Sequence, residues 1–84
     1  MSQRRWLRVT VKDGLFPSER TVLFRTSDGE EVSVFITVGQ IDEQRQRISV
    51  TLLDEDENHA LVQIPSQGGI STVRIPRDMT TPDP

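Results

Sequence analysis

Apolar and polar residues alternate along most of this chain. In residues 5–12, Leu7, Val9 and Val11 alternate with polar or aromatic side chains, and similar short segments recur up to residue 75. A period of two residues places successive side chains on opposite faces of an extended strand. The pattern therefore predicts six strands, at residues 5–12, 20–26, 31–38, 48–53, 59–64 and 71–75.

The turn between the second and third predicted strands specifies how those strands pair. A three-residue loop with Gly29 in the left-handed region places Phe24 opposite Val32 and Val22 opposite Val34. This register gives one continuous apolar face. A shift of one residue would turn every side chain to the other face, so we expect the apolar register to form.

The acidic turn at residues 54–58 is interpreted in the same way. Asn58 tolerates a positive φ better than most residues. With Asn58 in that conformation, Glu55 pairs with His59 and Leu52 lies opposite Val62. Both hairpins are then predicted to join two apolar faces through a three-residue loop.

The composition agrees with strands. Nine Val, six Ile and eight Thr stand against the single alanine, and β-branched side chains pack well on a sheet. Leu, Ile, Val and Phe make up 24 of the 84 residues, which is enough to form a core. The prediction is an all-β protein with one domain at residues 4–78 and flexible termini at 1–3 and 79–84. Because exposed sheet edges promote aggregation, we expect an antiparallel barrel of five to six strands, SH3-like or alternatively OB-like.

Charge is distributed unevenly along the chain. Residues 1–12 contain Arg4, Arg5, Arg8 and Lys12 with no acid, whereas residues 26–57 have a net charge of −7. Trp6 shares its strand face with Arg8 and Lys12. An aromatic residue beside cations is typical of surfaces that stack a base and contact a phosphate, which makes nucleic acid a candidate partner. Alternatively, Trp6 covers one end of the barrel and the arginine stems lie on it.

A second candidate surface consists of apolar residues on the outer face of the strands. In the predicted registers Leu23 and Phe35 are diagonal neighbours on the face opposite the core, and Leu53 and Leu61 are arranged similarly. An exposed apolar patch marks a contact with a protein partner or a second copy of the chain. The alternative is that a loop containing Leu15 and Phe16 covers these residues.

Catalytic and metal-binding patterns are weak. His59 is the single histidine, there is no cysteine, and Gly68-Gly69 is not followed by the lysine of a phosphate loop. Asp54, Asp56 and Asn58 have the spacing of a calcium loop, but its glycine and its final glutamate are missing. We therefore predict a protein that is not an enzyme and binds no metal or cofactor.

No segment has the roughly 18 consecutive apolar residues of a membrane span, so we expect no membrane partner and a cytoplasmic location. The predicted function is a non-catalytic module for protein–protein interaction or self-association, with nucleic-acid binding as the alternative. The predicted binding surface comprises Arg5, Trp6, Arg8, Lys12, Leu23 and Phe35.

Overall fold

The computed structural model describes residues 3–66 and 69–82, which form nine strands and two 3₁₀ turns. The 3₁₀ turns lie at Val38–Gln40 and Arg77–Met79. All paired strands are antiparallel, so the all-β prediction is confirmed. The strands are β1 (Gln3–Arg8), β2 (Thr10–Asp13), β3 (Glu19–Arg25), β4 (Glu31–Thr37), β5 (Ile41–Asp42), β6 (Arg47–Glu55), β7 (His59–Ser66), β8 (Gly69–Pro76) and β9 (Thr80–Pro82).

The strands form two sheets, and the segment from β1 through Val9 to β2 contributes one strand to each of them. One sheet has the order β8–β7–β6–β1–β9, with β5 paired to β6, and the other has the order β2–β3–β4. At Val9 the chain passes from β1 to β2, and its pairing partners change there. Neither sheet closes into a barrel within the described residues, so the structure supports antiparallel sheets and not the closure of a sheet that a barrel requires. The β3–β4 turn is joined to β8 by the Ser27 N–H, which donates to the Arg74 carbonyl at 2.9 Å.

The core lies between the inner faces of the two sheets. Alternate residues along each strand point inward, as the period of two predicts. Burying an aliphatic side chain of this size contributes about 1.5–3 kcal/mol, so the core is the main source of stability. It contains Leu7, Val9, Val22, Phe24, Ile36, Ile48, Val50, Leu52, Ala60, Val62, Ile64 and Ile75.

The first hairpin has the predicted register. Phe24 lies opposite Val32, and Gly29 has a φ of +83°. The Thr26 N–H donates to the Glu30 carbonyl at 2.9 Å, which closes the three-residue loop.

The second hairpin reaches the predicted register by a different turn. Leu52 lies opposite Val62 as expected, but Glu55 pairs with Ala60 instead of His59. The Asp56 N–H donates to the His59 carbonyl at 2.9 Å, so the loop contains two residues instead of the predicted three. Oδ1 of Asp56 stabilises this turn by accepting the backbone N–H groups of Asn58 and His59, each at 2.8 Å. Asn58 does not have a positive φ.

A bulge in β6 compensates for the shorter loop. The register shifts by one residue between Leu52 and Asp54, which leaves Leu53 as the extra residue. The apolar pairing of Leu52 with Val62 is restored beyond the bulge. The requirement for a continuous apolar face therefore determines the register even where the turn prediction fails.

The C-terminal segment differs from its prediction. Residues 80–82, expected in a flexible tail, form β9 and pair with Arg5, Trp6 and Leu7 of β1. Thr80 is buried, and its hydroxyl donates to the Arg77 carbonyl at 2.9 Å. Residues 1, 2, 83 and 84 of the predicted flexible termini lie outside the described residues.

Candidate functional site

The outer face of β1 and β2 presents a row of cations. Arg4, Arg8 and Lys12 are exposed, while Leu7 and Val9 between them are buried in the core. None of the three cations forms an ion pair within the described part of the chain. Their charges are therefore available to a partner.

Arg5 does not belong to this outer face. It shares the inner side with Leu7, and its Nη2 lies 3.0 Å from Oε1 of Glu55. Oε2 of Glu55 also lies 3.3 Å from Nε of Arg77. Arg5 thus joins β1 to the end of β6 and to the second 3₁₀ turn, and the structure separates it from Arg8 and Lys12.

Trp6 lies on the outer face and is partly buried. The guanidinium carbon of Arg47 lies 4.1 Å from the centre of the indole ring. This distance is typical of a cation–π contact. The indole Nε1 is buried and has no hydrogen-bond partner among the described residues. Because Arg47 covers one face of the ring, Trp6 offers less stacking surface than its sequence context predicts.

Beside Trp6 is a small cavity, which we call the arginine pocket. Its volume is about 170 Å³. It is lined by Trp6, Arg8, Arg45, Arg47, Met79 and Thr81. Three strands, the β5–β6 turn and the second 3₁₀ turn contribute to it, so residues distant in sequence meet there.

One carboxylate neutralises part of the charge of this pocket. Oδ2 of Asp42 lies 3.1 Å from Nε of Arg47 and 3.3 Å from Nη1 of Arg45. Partial burial of the Asp42 carboxylate opposes ionisation, but hydrogen bonds from the Arg45 backbone N–H and the Arg47 guanidinium outweigh it and lower its pKa. Asp42 is therefore an anion at neutral pH, and the pocket retains a positive surplus.

A larger apolar groove opens where β1 changes partners. Leu7 pairs with β9 and Thr10 pairs with β3, and Arg8 and Val9 lie between these two pairings. The groove here has a volume of about 550 Å³, and we call it the Leu23 groove. Its lining comprises Arg8, Val9, Thr10, Leu23, Phe24, Arg25, Pro76, Asp78 and Met79. It is mainly apolar, and its charged lining residues are Arg8, Asp78 and Arg25, whose Nη2 lies 3.7 Å from Oε2 of Glu31.

The other outward apolar residues lie outside this groove. Phe35 is 39% exposed and is the diagonal neighbour of Leu23 across β3 and β4, as predicted. Leu15 and Phe16 are 75% and 64% exposed, so the β2–β3 loop does not bury itself on Leu23 and Phe35. Leu53, in the bulge, is 43% exposed.

Sequence reasoning did not identify three residues that complete these cavities. Arg45, Arg47 and Met79 reach the site only because β6 and β9 flank β1. These pairings join segments about 40 and 75 residues apart, and no short turn specifies them. The alternation of Arg5 with Trp6 was a signal for the placement of Arg5, because it assigns Arg5 to the same face as Leu7.

Among residues 3–66 and 69–82 there is no group of three or more acidic, histidine or cysteine side chains arranged to hold a metal ion. Within the same residues, no helix has the length and apolar character required to cross a membrane.

Comparison of this chain with protein-family models, with curated proteins and with solved structures gives no match. The SH3-like and OB-like topologies therefore stay predictions, and functional inference rests on the residues themselves.

Proposed function

We propose that this protein is a non-catalytic protein-interaction module whose docking site is the Leu23 groove. The observation that carries the proposal is an open, mainly apolar groove with Arg8 and Arg25 at its rim. Its volume lies in the range of established ligand sites, about 300–1,000 Å³. Such a groove fits an extended segment that has apolar side chains next to an acidic one.

The occupant we propose is the β2–β3 loop of a second copy of this chain. Leu15 and Phe16 are the most exposed large apolar side chains among the described residues. Asp13, two residues before Leu15, is exposed and complements Arg8, the groove cation that forms no ion pair within the described residues. Both an apolar segment and a groove for it are thus present on the same chain.

The loop does not reach the groove of its own chain. It begins after the pairing of Asp13 with Arg20, whereas the groove begins at the pairing of Thr10 with Leu23. These two pairings are three residues apart along the strand, so the start of the loop lies about 10 Å from the start of the groove. The loop projects away from the groove. If each of two copies inserts its β2–β3 loop into the groove of the other, both grooves are filled and the dimer is symmetric.

Sedimentation equilibrium tests this proposal. An interface of this small size gives weak association, so we expect the apparent mass to rise between about 10 μM and about 1 mM protein. Phe16→Ser and Leu23→Thr should each abolish the rise. Leu53→Ser, which removes an exposed leucine that does not line the groove, should preserve it. A constant monomer mass for the unsubstituted protein, or an unchanged rise in Phe16→Ser, would overturn the proposal.

A second candidate function is binding of single-stranded nucleic acid, favoured by three cations that form no ion pair with any residue the structure describes, Arg4, Arg8 and Lys12. Phosphate contacts of this kind make affinity fall steeply with salt. Fluorescence anisotropy of a labelled oligonucleotide at low salt tests it. We expect Lys12→Gln to lower the slope of log affinity against log salt by about one. Absence of binding at low salt excludes this function.

A further inference from the structure

We infer that the arginine pocket is a binding site for a phosphomonoester dianion. The inference concerns a second cavity, which shares Arg8 and Met79 with the Leu23 groove, whereas Trp6, Arg45, Arg47 and Thr81 line the arginine pocket alone. The relevant chemistry is a terminal phosphate group with two negative charges.

The first argument is the cross-strand position of two arginines. Arg8 of β1 lies directly opposite Arg47 of β6. Directly opposed side chains have Cβ atoms about 4.5–5.5 Å apart, and like charges at this position destabilise a sheet. Arg45 adds a third guanidinium to the same cavity. An anion held between these groups would convert the repulsion into attraction.

The second argument is the charge that remains after internal pairing. Asp42 is the carboxylate that pairs with Arg45 and Arg47, and Arg8 has no ion-pair partner in the described part of the chain. Three guanidinium charges and one carboxylate leave two positive charges. This surplus matches a dianion, although the whole chain has a net charge of −3.

The third argument is size and donor geometry. The cavity of about 170 Å³ has the volume of roughly five or six water molecules, which suits a group of five heavy atoms such as phosphate. Guanidinium groups present planar forks of N–H donors that match phosphate oxygens. Thr81 adds a hydroxyl to the lining.

Trp6 provides a built-in reporter, because it is the single tryptophan and lines the pocket. The experiment titrates the protein with phenyl phosphate while Trp6 fluorescence and the ³¹P linewidth of the ligand are recorded. Sodium chloride at matched ionic strength, acetate and dimethyl phosphate are titrated in parallel. We expect saturable binding of phenyl phosphate, and weaker or no saturable binding of the three comparison anions.

Variants distinguish the pocket from general charge attraction. Arg8→Gln and Arg45→Gln should each weaken phenyl phosphate binding about tenfold or more, since each removes charge-assisted hydrogen bonds. Arg4→Gln removes a cation from the same strand face outside the pocket and should leave the dissociation constant within about twofold. Circular dichroism verifies that the variants are folded, and Arg45 lies on an exposed turn where substitution is tolerated.

Three results would overturn the inference: equal binding of dimethyl phosphate or acetate, an unchanged dissociation constant in both Arg8→Gln and Arg45→Gln, or an equal loss in Arg4→Gln. These titrations are independent of the sedimentation experiment. Absence of phenyl phosphate binding by the unsubstituted protein, with its self-association intact, would therefore reject this inference alone.

Discussion

The guanidinium carbon of Arg47 lies 4.1 Å from the centre of the Trp6 indole ring, and this contact joins β6 to the outer face of β1. Arg47 is also held by Asp42, whose Oδ2 lies 3.1 Å from its Nε. The contact orients Arg47 in the arginine pocket and covers part of Trp6.

Replacing Arg47 by methionine tests the importance of this contact. Methionine keeps an apolar chain over the ring but removes the cation, so we expect a loss of about 1–2 kcal/mol, to which the cation–π contact and the ion pair with Asp42 both contribute. Urea unfolding measures the loss, and Trp6 emission should shift to longer wavelength as the ring gains water contact. Arg74→Met, on an exposed position of β8 three strands from β1, serves as the control and should leave the emission unchanged.

The turn of the second hairpin should make stability depend on acid pH. The backbone N–H groups of Asn58 and His59 donate to Asp56 and lower its pKa. A carboxyl whose pKa is lower in the folded state stabilises the fold above its unfolded pKa of about 3.9, and this contribution is lost as the pH falls through the folded value. Asp42, whose pKa is also lowered, acts in the same direction.

Substitutions at Asp56 separate charge from hydrogen bonding. Asp56→Asn keeps an oxygen that accepts the two N–H groups, so most of the neutral-pH stability should remain, while the acid dependence decreases. Asp56→Ala should lower the melting temperature further, because both N–H groups lose their acceptor. Thermal melts followed by circular dichroism between about pH 2.5 and pH 7 measure both effects. Equal melting temperatures for the two variants would contradict this account of the turn.

Arg5 is predicted to contribute to stability and not to binding. Arg5→Gln leaves the partly buried Glu55 without its closest partner at 3.0 Å. We expect a loss of about 1–2 kcal/mol, between the values typical of exposed and buried pairs. Chemical unfolding of Arg5→Gln beside Arg4→Gln measures it, since Arg4 has no ion-pair partner among the described residues and its loss should change stability by less than about 0.5 kcal/mol. A larger loss in Arg4→Gln would show that the assignment of these two side chains is wrong.

Two glycines should respond to alanine for different reasons. A Cβ at Gly14 would lie 2.6 Å from the Glu19 carbonyl oxygen, so Gly14→Ala must displace the backbone of the β2–β3 loop. We expect a loss of about 1–3 kcal/mol, as for other overpacked sites. Gly29 has open space around its Cβ position but a φ of +83°, so Gly29→Ala should lose about 1 kcal/mol to backbone strain alone.

Urea unfolding compares the two glycine variants. Because Gly14 shapes the loop that carries Leu15 and Phe16, its substitution should also weaken self-association, whereas Gly29→Ala should not. A self-association constant that is unchanged in Gly14→Ala would show that loop shape is not part of docking.

The sequence predicts contacts between residues that are close along the chain better than contacts between residues that are far apart along it. Gly29 specifies its hairpin because turn chemistry and apolar alternation act over about ten residues. In the second hairpin the alternation predicted the pairing of Leu52 with Val62, but the Asp56 turn and the bulge at Leu53 required knowledge of competing side-chain hydrogen bonds. Neither the pairing of β1 with β6 nor that of β9 with β1 has a local signal.

The candidate site could likewise be predicted only where neighbouring residues determine it. Alternation places Trp6, Arg8 and Lys12 on one outer face and Leu23 diagonal to Phe35, as the structure does. The cavities themselves depend on Arg47 and on the second 3₁₀ turn, which reach β1 only through long-range strand pairing. No pattern within a single strand predicts them.

An isotope-filtered NOE experiment on a mixed sample tests docking of the β2–β3 loop into the Leu23 groove most directly. One half of the sample has ¹³C-labelled leucine and methionine methyl groups, and the other half is unlabelled. Our proposal predicts intermolecular NOEs from the unlabelled Phe16 ring to the labelled methyl groups of Leu23 and Met79. Intermolecular NOEs to other methyl groups with none to Leu23 and Met79, or none at all at about 1 mM protein, would contradict it.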